Sequence, residues 1–453
     1  MFPAKTTLAI ATLAGLLLLP QIAPALKDYP TVNSEHLRAV LDLPVEKYRP
    51  APVIEIPRLK HTELAPPPNL FDPKHELDHF YKALLAGGTV RIVHYGDSPT
   101  TGDLITADAR AALQKQFGDA GGGYVLIARP WAWYTHRGLE MDSTGWKIDV
   151  AGQGELKDGM YGLGGATFRG SSGAAAHFRW RDASHRSMEV AFLQQSDGGV
   201  ISVDADGKEL GTAETSGEGK TPGYASFEIP SGAKRVSLRV QRGSVRLYGV
   251  DFRKPGAGVV YSALGINGAN ITVMSHAFNE RFWAATLQHY KPDLVIVNYG
   301  TNESGFASFV EKTWAPELKQ AVRRIRAALP QASVLLMSPM DRGERSGGEV
   351  MTVPALPRLV EIERSVAAET GVAFFNTFEA MGGKGTMAKW SSSAPRLVGG
   401  DYIHPLPAGA KIVGELLYNA LRDGLTSYKL RQLNHRMAEA ESKKKAVEGG
   451  PSR

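Results

Sequence analysis

The 453-residue chain contains no cysteine, which excludes structural disulfides, a cysteine-linked lipid anchor and thiolate metal sites. It has no apolar run long enough to cross a bilayer: the stretch from Leu8 to Leu19 is short for a span. No aromatic-basic RNA-binding motif, zinc-finger spacing or internal repeat is present, so nucleic acid is excluded as the expected partner. The twelve histidines, His136 and His177 among them, show no metal-ligand spacing; neither a metal nor any other cofactor is expected. A formal net charge of +6 is only mildly basic.

What is present begins with Lys5 ahead of the Leu8–Leu19 run and small residues at Ala23-Pro24-Ala25. This pattern predicts a signal peptide over 1–25 and export to the periplasm or beyond, with an uncleaved anchor as the competing reading. Residues 26–74 read as a proline-rich linker. At the other end, Arg431, Arg436 and Lys443-Lys444-Lys445 interleave with Glu439, Glu441 and Glu448. Residues 426–453 therefore read as a solvated charged helical tail, with attraction to an anionic polymer or membrane surface as the alternative.

Between these ends the period of the pattern changes twice. Residues 75–141 alternate helix, strand and helix: a helix over His75–Leu85, a strand through Val90, Ile92 and Val93, then a helix over Leu104–Phe117. Over 142–254 short alternating segments replace them, at Ala176–Trp180, Ser187–Leu193, Val200–Val203, Ala225–Ile229 and Arg235–Val240. Asp204-Ala205-Asp206-Gly207-Lys208 reads as a hairpin turn, not a calcium loop. This spacing predicts an inserted β-sandwich, jelly-roll-like. Trp146, Tyr161, Trp180 and Tyr224 are its candidate sugar-stacking aromatics, although most such residues are core. From 255 to 425 the α/β alternation resumes, with helices over Ala277–Tyr290, Thr313–Leu329, Leu356–Thr370 and Ala408–Leu421 and strands at Pro292–Tyr299, Ser333–Met337 and Val372–Asn376. Such alternation predicts a parallel sheet covered by helices on both faces.

The residues that carry chemistry lie at the ends of these strands. Gly96-Asp97-Ser98 puts a hydroxyl between an apolar strand and a helix N-terminus, where backbone N–H groups can stabilise a developing anion. A serine nucleophile needs a base, and that base needs a carboxylate to fix its tautomer; Asp401-Tyr402-Ile403-His404 supplies both. Gly300-Thr301-Asn302-Glu303 follows the buried strand at Pro292–Tyr299, so Asn302 belongs to the same rim and can donate to an oxyanion.

These blocks, in this order and with Leu264-Gly265-Ile266-Asn267-Gly268-Ala269 between them, resemble the SGNH, or GDSL-type, hydrolase superfamily. The resemblance implies a three-layer α/β/α fold around a central parallel sheet. It implies Ser98 as nucleophile, His404 as base and Asp401 as orienting carboxylate. The oxyanion hole it implies consists of the N–H groups of Ser98 and Gly268 with the Asn302 side chain, Gly265 being the alternative glycine. Within the superfamily the chain is similar to the peptidoglycan O-acetylesterase branch, through Gly96-Asp97-Ser98-Pro99-Thr100-Thr101-Gly102-Asp103, Phe117-Gly118-Asp119-Ala120-Gly121-Gly122-Gly123-Tyr124, the β-rich insertion and Gly-Thr-Asn-Glu. It departs at Pro99, where that branch commonly has histidine.

The expected protein is an exported serine esterase acting on an O-acetylated polysaccharide, with peptidoglycan the leading substrate and no integral membrane partner implied. An O-acetyltransferase using the same triad and a non-catalytic carbohydrate-binding protein are the alternatives. Of the neighbouring polar residues, Asp103 reads as a helix N-cap. His94 and Asp97 read as packing and loop-holding groups, and Glu303 as a group that caps or orients its loop.

Overall fold

The structure, a computed structural model, describes residues 69–154 and 156–448, with side chains through Lys443. The expected signal peptide and nearly all of the expected linker lie outside the described residues.

A seven-stranded sheet forms the centre of the hydrolase part. Its strands run in the order Leu70–Phe71, Ala373–Phe375, Ser333–Met337, Leu294–Asn298, Thr89–Gly96, Gly258–Gly265 and Asp119–Gly121. Every neighbouring pair is parallel except the antiparallel edge at Leu70–Phe71. The central strands are apolar on both faces because both are covered. Ile92, Leu294, Ile296, Leu335 and Met337 pack with Ile105, Leu113, Val413 and Leu417 on one side. The alternate residues Val93, Tyr95, Val295, Val297 and Leu336 pack with Trp283, Leu287, Leu318 and Leu359 on the other. Register then aligns the carboxyl ends of the strands, since Gly96 is level with both Asn298 and Gly265. The three loops that follow therefore leave the sheet at one height, at the edge where open α/β sheets collect functional groups.

Helix boundaries differ from the sequence expectation where side chains intervene. The first helix starts at Asp78, not at His75, because Asp72 accepts from the Glu76 and Leu77 N–H groups and His75 takes φ 59°. The helix expected from Ala277 starts at Glu280, where the Asn279 side chain accepts from the Phe282 N–H at 3.1 Å. The largest difference is at the end. The helix expected to stop at Leu421 runs unbroken from Pro407 to Glu448. Leu417, Leu421, Leu425 and Tyr428 continue one buried stripe, and Arg431 pairs with Asp78. Gly424 does not break the helix: it lies against Tyr81, whose hydroxyl would sit 2.0 Å from any added Cβ.

The insertion folds as two antiparallel sheets. One orders Lys208–Glu214, Val200–Ala205, Arg235–Arg242, Ala175–Trp180 and Leu139–Thr144; the other orders Thr221–Glu228, Ser187–Gln194, Ser244–Arg253, Ala166–Ser171 and Lys147–Val150. Inner-face side chains meet across them, with Phe178 and Phe252 ring centroids 5.2 Å apart in an edge contact. The turn at Asp206-Gly207 has φ of 48° and 84°, the left-handed pair that a two-residue hairpin requires. The glycine run after Phe117 is the seam between the two parts. Asp119–Gly121 pairs with the hydrolase sheet, and two residues later Gly123–Val125 pairs with the sandwich strand Ser244–Arg253. Gly123 has φ 87°, and a Cβ there would meet the Tyr261 carbonyl oxygen at 2.6 Å. Sandwich strands at Gly123–Val125 and Leu139–Thr144 thus begin before residue 142.

Candidate active site

Asp97 leaves the strand in an extended conformation and Ser98 opens a single helical turn, Ser98–Thr101. The Asp97 carbonyl accepts from the Thr100 and Thr101 N–H groups at 3.1 and 3.3 Å, which fixes the turn beneath the serine. Gly265 abuts this turn: a Cβ there would lie 2.3 Å from the Thr101 nitrogen. Close approach accounts for that glycine, whereas Gly268 is exposed in the following loop with φ 69°.

Asp401 and His404 arrive from the loop before the closing helix. The Asp401 carboxylate binds its own loop, accepting at Oδ1 from the Ile403 and His404 N–H groups at 3.0 and 3.1 Å. Its Oδ2 accepts from His404 Nδ1 at 2.6 Å. An ionised carboxylate only accepts, so Nδ1 carries the proton and Nε2 is left as an acceptor. Ser98 Oγ donates to that nitrogen at 2.7 Å. Burial alone would raise the Asp401 carboxyl, but the hydrogen bonds from the His404 side chain and the two backbone N–H groups outweigh it and hold it below its ordinary value. Residues 306 positions apart are thereby joined into one hydrogen-bonded chain, with the Asp401 and His404 side chains each 47% exposed.

The loops that carry Gly268 and Asn302 are laced to the nucleophile strand and to each other. Ile266 N–H donates to the Gly96 carbonyl at 2.9 Å, and Asn302 Nδ2 donates to the Ala269 carbonyl at 2.7 Å, which leaves the amide a second N–H. Glu303, 2% exposed, accepts from the Ile271 N–H at 2.8 Å and the Gly300 N–H at 3.1 Å. It orients its loop as expected, and it also clamps the preceding loop. Burial pushes Glu303 up to about 7. Burial, with the Glu303 charge added, pushes the adjacent Asp97 up to about 8. His94 is buried within the strand that leads to Ser98, its Nδ1 2.7 Å from the Tyr261 hydroxyl, and burial lowers it to about 4.

Asp103 corrects the sequence reading. It is not a helix N-cap: it takes φ 48°, and its carboxylate binds the Arg110 guanidinium at 2.9 and 2.6 Å, the Thr106 hydroxyl and the Arg137 N–H. A polar residue at a helix start satisfies local donors by default, but here a buried cation seven residues on takes precedence. None of the four aromatics of the insertion lines the cavity at Ser98. Tyr161 and Trp180 are buried, Trp146 donates its indole N–H to the Ala175 carbonyl, and Tyr224 stacks on His289 at 3.4 Å. The aromatic that does reach the site is Trp133. It lines a cavity of about 480 Å³ together with Ser98, Pro99, Leu104, Asn267, His404 and Pro405. Nothing in the local pattern around Trp133 singles it out, because it lies in an aperiodic connection whose position depends on the sandwich. Among the described residues no group of three or more His, Asp or Glu side chains is arranged to hold a metal ion.

A parallel sheet bearing a hydrogen-bonded Ser-His-Asp chain on its carboxyl rim defines a serine acylhydrolase site. Residues 234–412 match the GDSL-like Lipase/Acylhydrolase family. The matched stretch holds Asp401 and His404 but not Ser98, which the fold brings to them across the insertion. Among solved structures, a peptidoglycan O-acetylesterase shares the fold with TM-score 0.67 and 23% identity, covering 79% of this chain and 99% of that one. A salicylyl-acyltransferase from a tetracycline biosynthetic pathway matches with TM-score 0.28 and 14% identity, over 62% and 96% of the two chains. An acetyl-xylooligosaccharide esterase from Geobacillus Stearmophilus matches with TM-score 0.27 and 18% identity, over 37% and 73%. No curated protein sequence matches the chain.

Proposed function

We propose that this protein is an exported esterase that removes O-acetyl groups from a bacterial polysaccharide, peptidoglycan being the leading substrate. The observation that carries the reading is the continuous chain Ser98 Oγ, His404 Nε2, His404 Nδ1, Asp401 Oδ2 at the mouth of an open cavity. Ser98 attacks the acetyl carbonyl while its hydroxyl proton passes to His404 Nε2. The tetrahedral oxyanion is held by the Ser98 and Gly268 N–H groups and the spare N–H of Asn302, each such donor contributing on the order of a hundredfold in rate. As the intermediate collapses, the bond from carbonyl carbon to sugar oxygen breaks and His404 returns the proton to the departing alkoxide. Water then attacks the acetyl-serine and gives a proton to His404; the bond from the carbonyl carbon to Ser98 Oγ breaks, His404 returns that proton to Oγ, and acetate leaves with the enzyme restored. Asp401 stays ionised and stabilises the imidazolium.

Half-exposed Asp401 and His404 side chains favour water as the acceptor over a sugar hydroxyl, since transfer requires water to be kept from the acyl-enzyme. Export rests on the residues 1–25 pattern. The test is to incubate the purified full chain with O-acetylated peptidoglycan, O-acetylated xylan and a soluble acetate ester and to measure free acetate. Acetate release from the first substrate in preference to the second is expected. Turnover of the soluble ester with none on either polymer would overturn the polysaccharide assignment.

A further inference from the structure

The catalytic cavity is far larger than an acetyl group needs, and one wall of it is apolar: Pro99, Leu104, Pro405 and Trp133. Trp133 is 52% exposed, an unusual state for a side chain that on average is strongly buried. The residues that follow it are pinned in place. Next to it, buried Tyr134 accepts the Leu126 N–H at 2.9 Å, and the Thr135 hydroxyl donates to the Gly102 carbonyl at 2.8 Å. Two residues further on, the Arg137 N–H donates to Asp103 at 2.8 Å and its guanidinium pairs with Asp108. Asp103 itself is locked by Arg110, and the chain then enters the sandwich strand Leu139–Thr144. The backbone is therefore fixed against the turn that carries Ser98, while the indole is left open to solvent beside the nucleophile. A pre-positioned aromatic surface of this kind binds without a large ordering cost.

We propose that Trp133 is the specificity-determining residue of the leaving-group subsite, a platform on which the ring of the acetylated sugar stacks so that its ester reaches Ser98. A pyranose suits this wall because its C–H face is apolar and its rim is hydroxylated. The apolar face covers the indole, and Asn267 and Thr135 supply polar groups in the same cavity. The inference rests on the reading of the site as a glycan esterase. It gives the insertion a definite role, because the connection into the sandwich holds the platform, although none of Trp146, Tyr161, Trp180 and Tyr224 lines this cavity.

The test uses the full chain carrying Ser98→Ala, so that O-acetylated peptidoglycan oligosaccharides bind without turnover and their affinity is read by calorimetry. Adding Trp133→Ala, or Trp133→Gln as a polar variant of intermediate size, is expected to weaken binding at least tenfold, in the range of aromatic stacking losses. Trp133→Phe is expected to restore most of the affinity. Unchanged thermal melting of each variant shows that the fold is kept. If the oligosaccharides bind the Ser98→Ala protein and neither substitution weakens them, the platform is overturned while the glycan reading stands. If they do not bind the Ser98→Ala protein at all, the glycan reading fails and the inference with it.

Discussion

Two sets of acidic side chains flank the nucleophile, Asp401 on the rim and Asp97 with Glu303 beneath it. Asp401 is half exposed, accepts three hydrogen bonds, and is held below its ordinary carboxyl value. Asp97 and Glu303 are 1% and 2% exposed, and burial pushes them up to about 8 and about 7. Asp97 Oδ2 has no hydrogen-bond partner among the described residues. The same chemical group thus does opposite things on the two sides of the nucleophile. On the rim a solvated, hydrogen-bonded carboxylate keeps its charge and orients an imidazole; underneath, carboxyls that resist ionisation serve as hydrogen-bonding parts of the scaffold. The comparison separates the carboxylate of the hydrogen-bonded Ser98-His404-Asp401 chain from the carboxyls that hold the loops.

The largest test of that separation is Ser98→Ala and His404→Ala. Each is expected to lower kcat on a soluble acetate by about four orders of magnitude or more with no change in melting temperature, since both side chains lie on the rim. A variant that kept near-wild-type turnover would remove that residue from the mechanism. Next come Asn302→Ala and Glu303→Ala, which separate donor from clamp. Asn302→Ala is expected to lower kcat about a hundredfold with KM little changed. Glu303→Ala leaves the Ile271 and Gly300 N–H groups without their acceptor, and unfolding measurements should show a loss of about 2 kcal/mol together with reduced kcat. Glu303→Gln, which keeps one acceptor oxygen, is expected to fall between wild type and alanine in both readouts. Loss of activity at unchanged stability in Glu303→Ala would instead place Glu303 among the reacting groups.

The last test lies in the pH dependence of stability, where the two sets have opposite signs. Asp97 starts from 3.8 unfolded and reaches about 8 folded. Between those values the folded state binds the extra proton, so its contribution to stability falls as pH rises from about 4 to about 8. Asp401 is lowered on folding, so its contribution is present above its unfolded value and is lost as pH falls through the folded one. Melting temperatures of Asp97→Asn, followed from about pH 5 to about pH 8, are expected to decline less steeply than those of the wild type. An equal slope would show that Asp97 is ionised in the folded protein.

Much of the fold was readable from local pattern. Val295 and Leu335 sit in apolar runs, as a strand covered on both faces must, and the insertion's switch to period two marked five of its strands to within a few residues. Helix ends were less legible, because Asp72, Asn279 and Tyr81 act on them from outside the periodic segment. Ser98, His404 and Asp401 could be named because each follows a recognisable strand or loop signal in its own stretch of chain.

By itself, then, the sequence determined the alternation of α/β and β-rich segments and the types of side chain that reach the carboxyl rim, since hydrophobic period and turn chemistry act over a few residues. Only the tertiary structure decided that Asp103 serves Arg110 instead of a helix end, that Glu303 joins two loops, and that Trp133 faces the nucleophile. Each depends on groups brought together by sheet register and by the seam at Gly121–Gly123, contacts whose partners are set by packing and leave no mark in the neighbouring sequence.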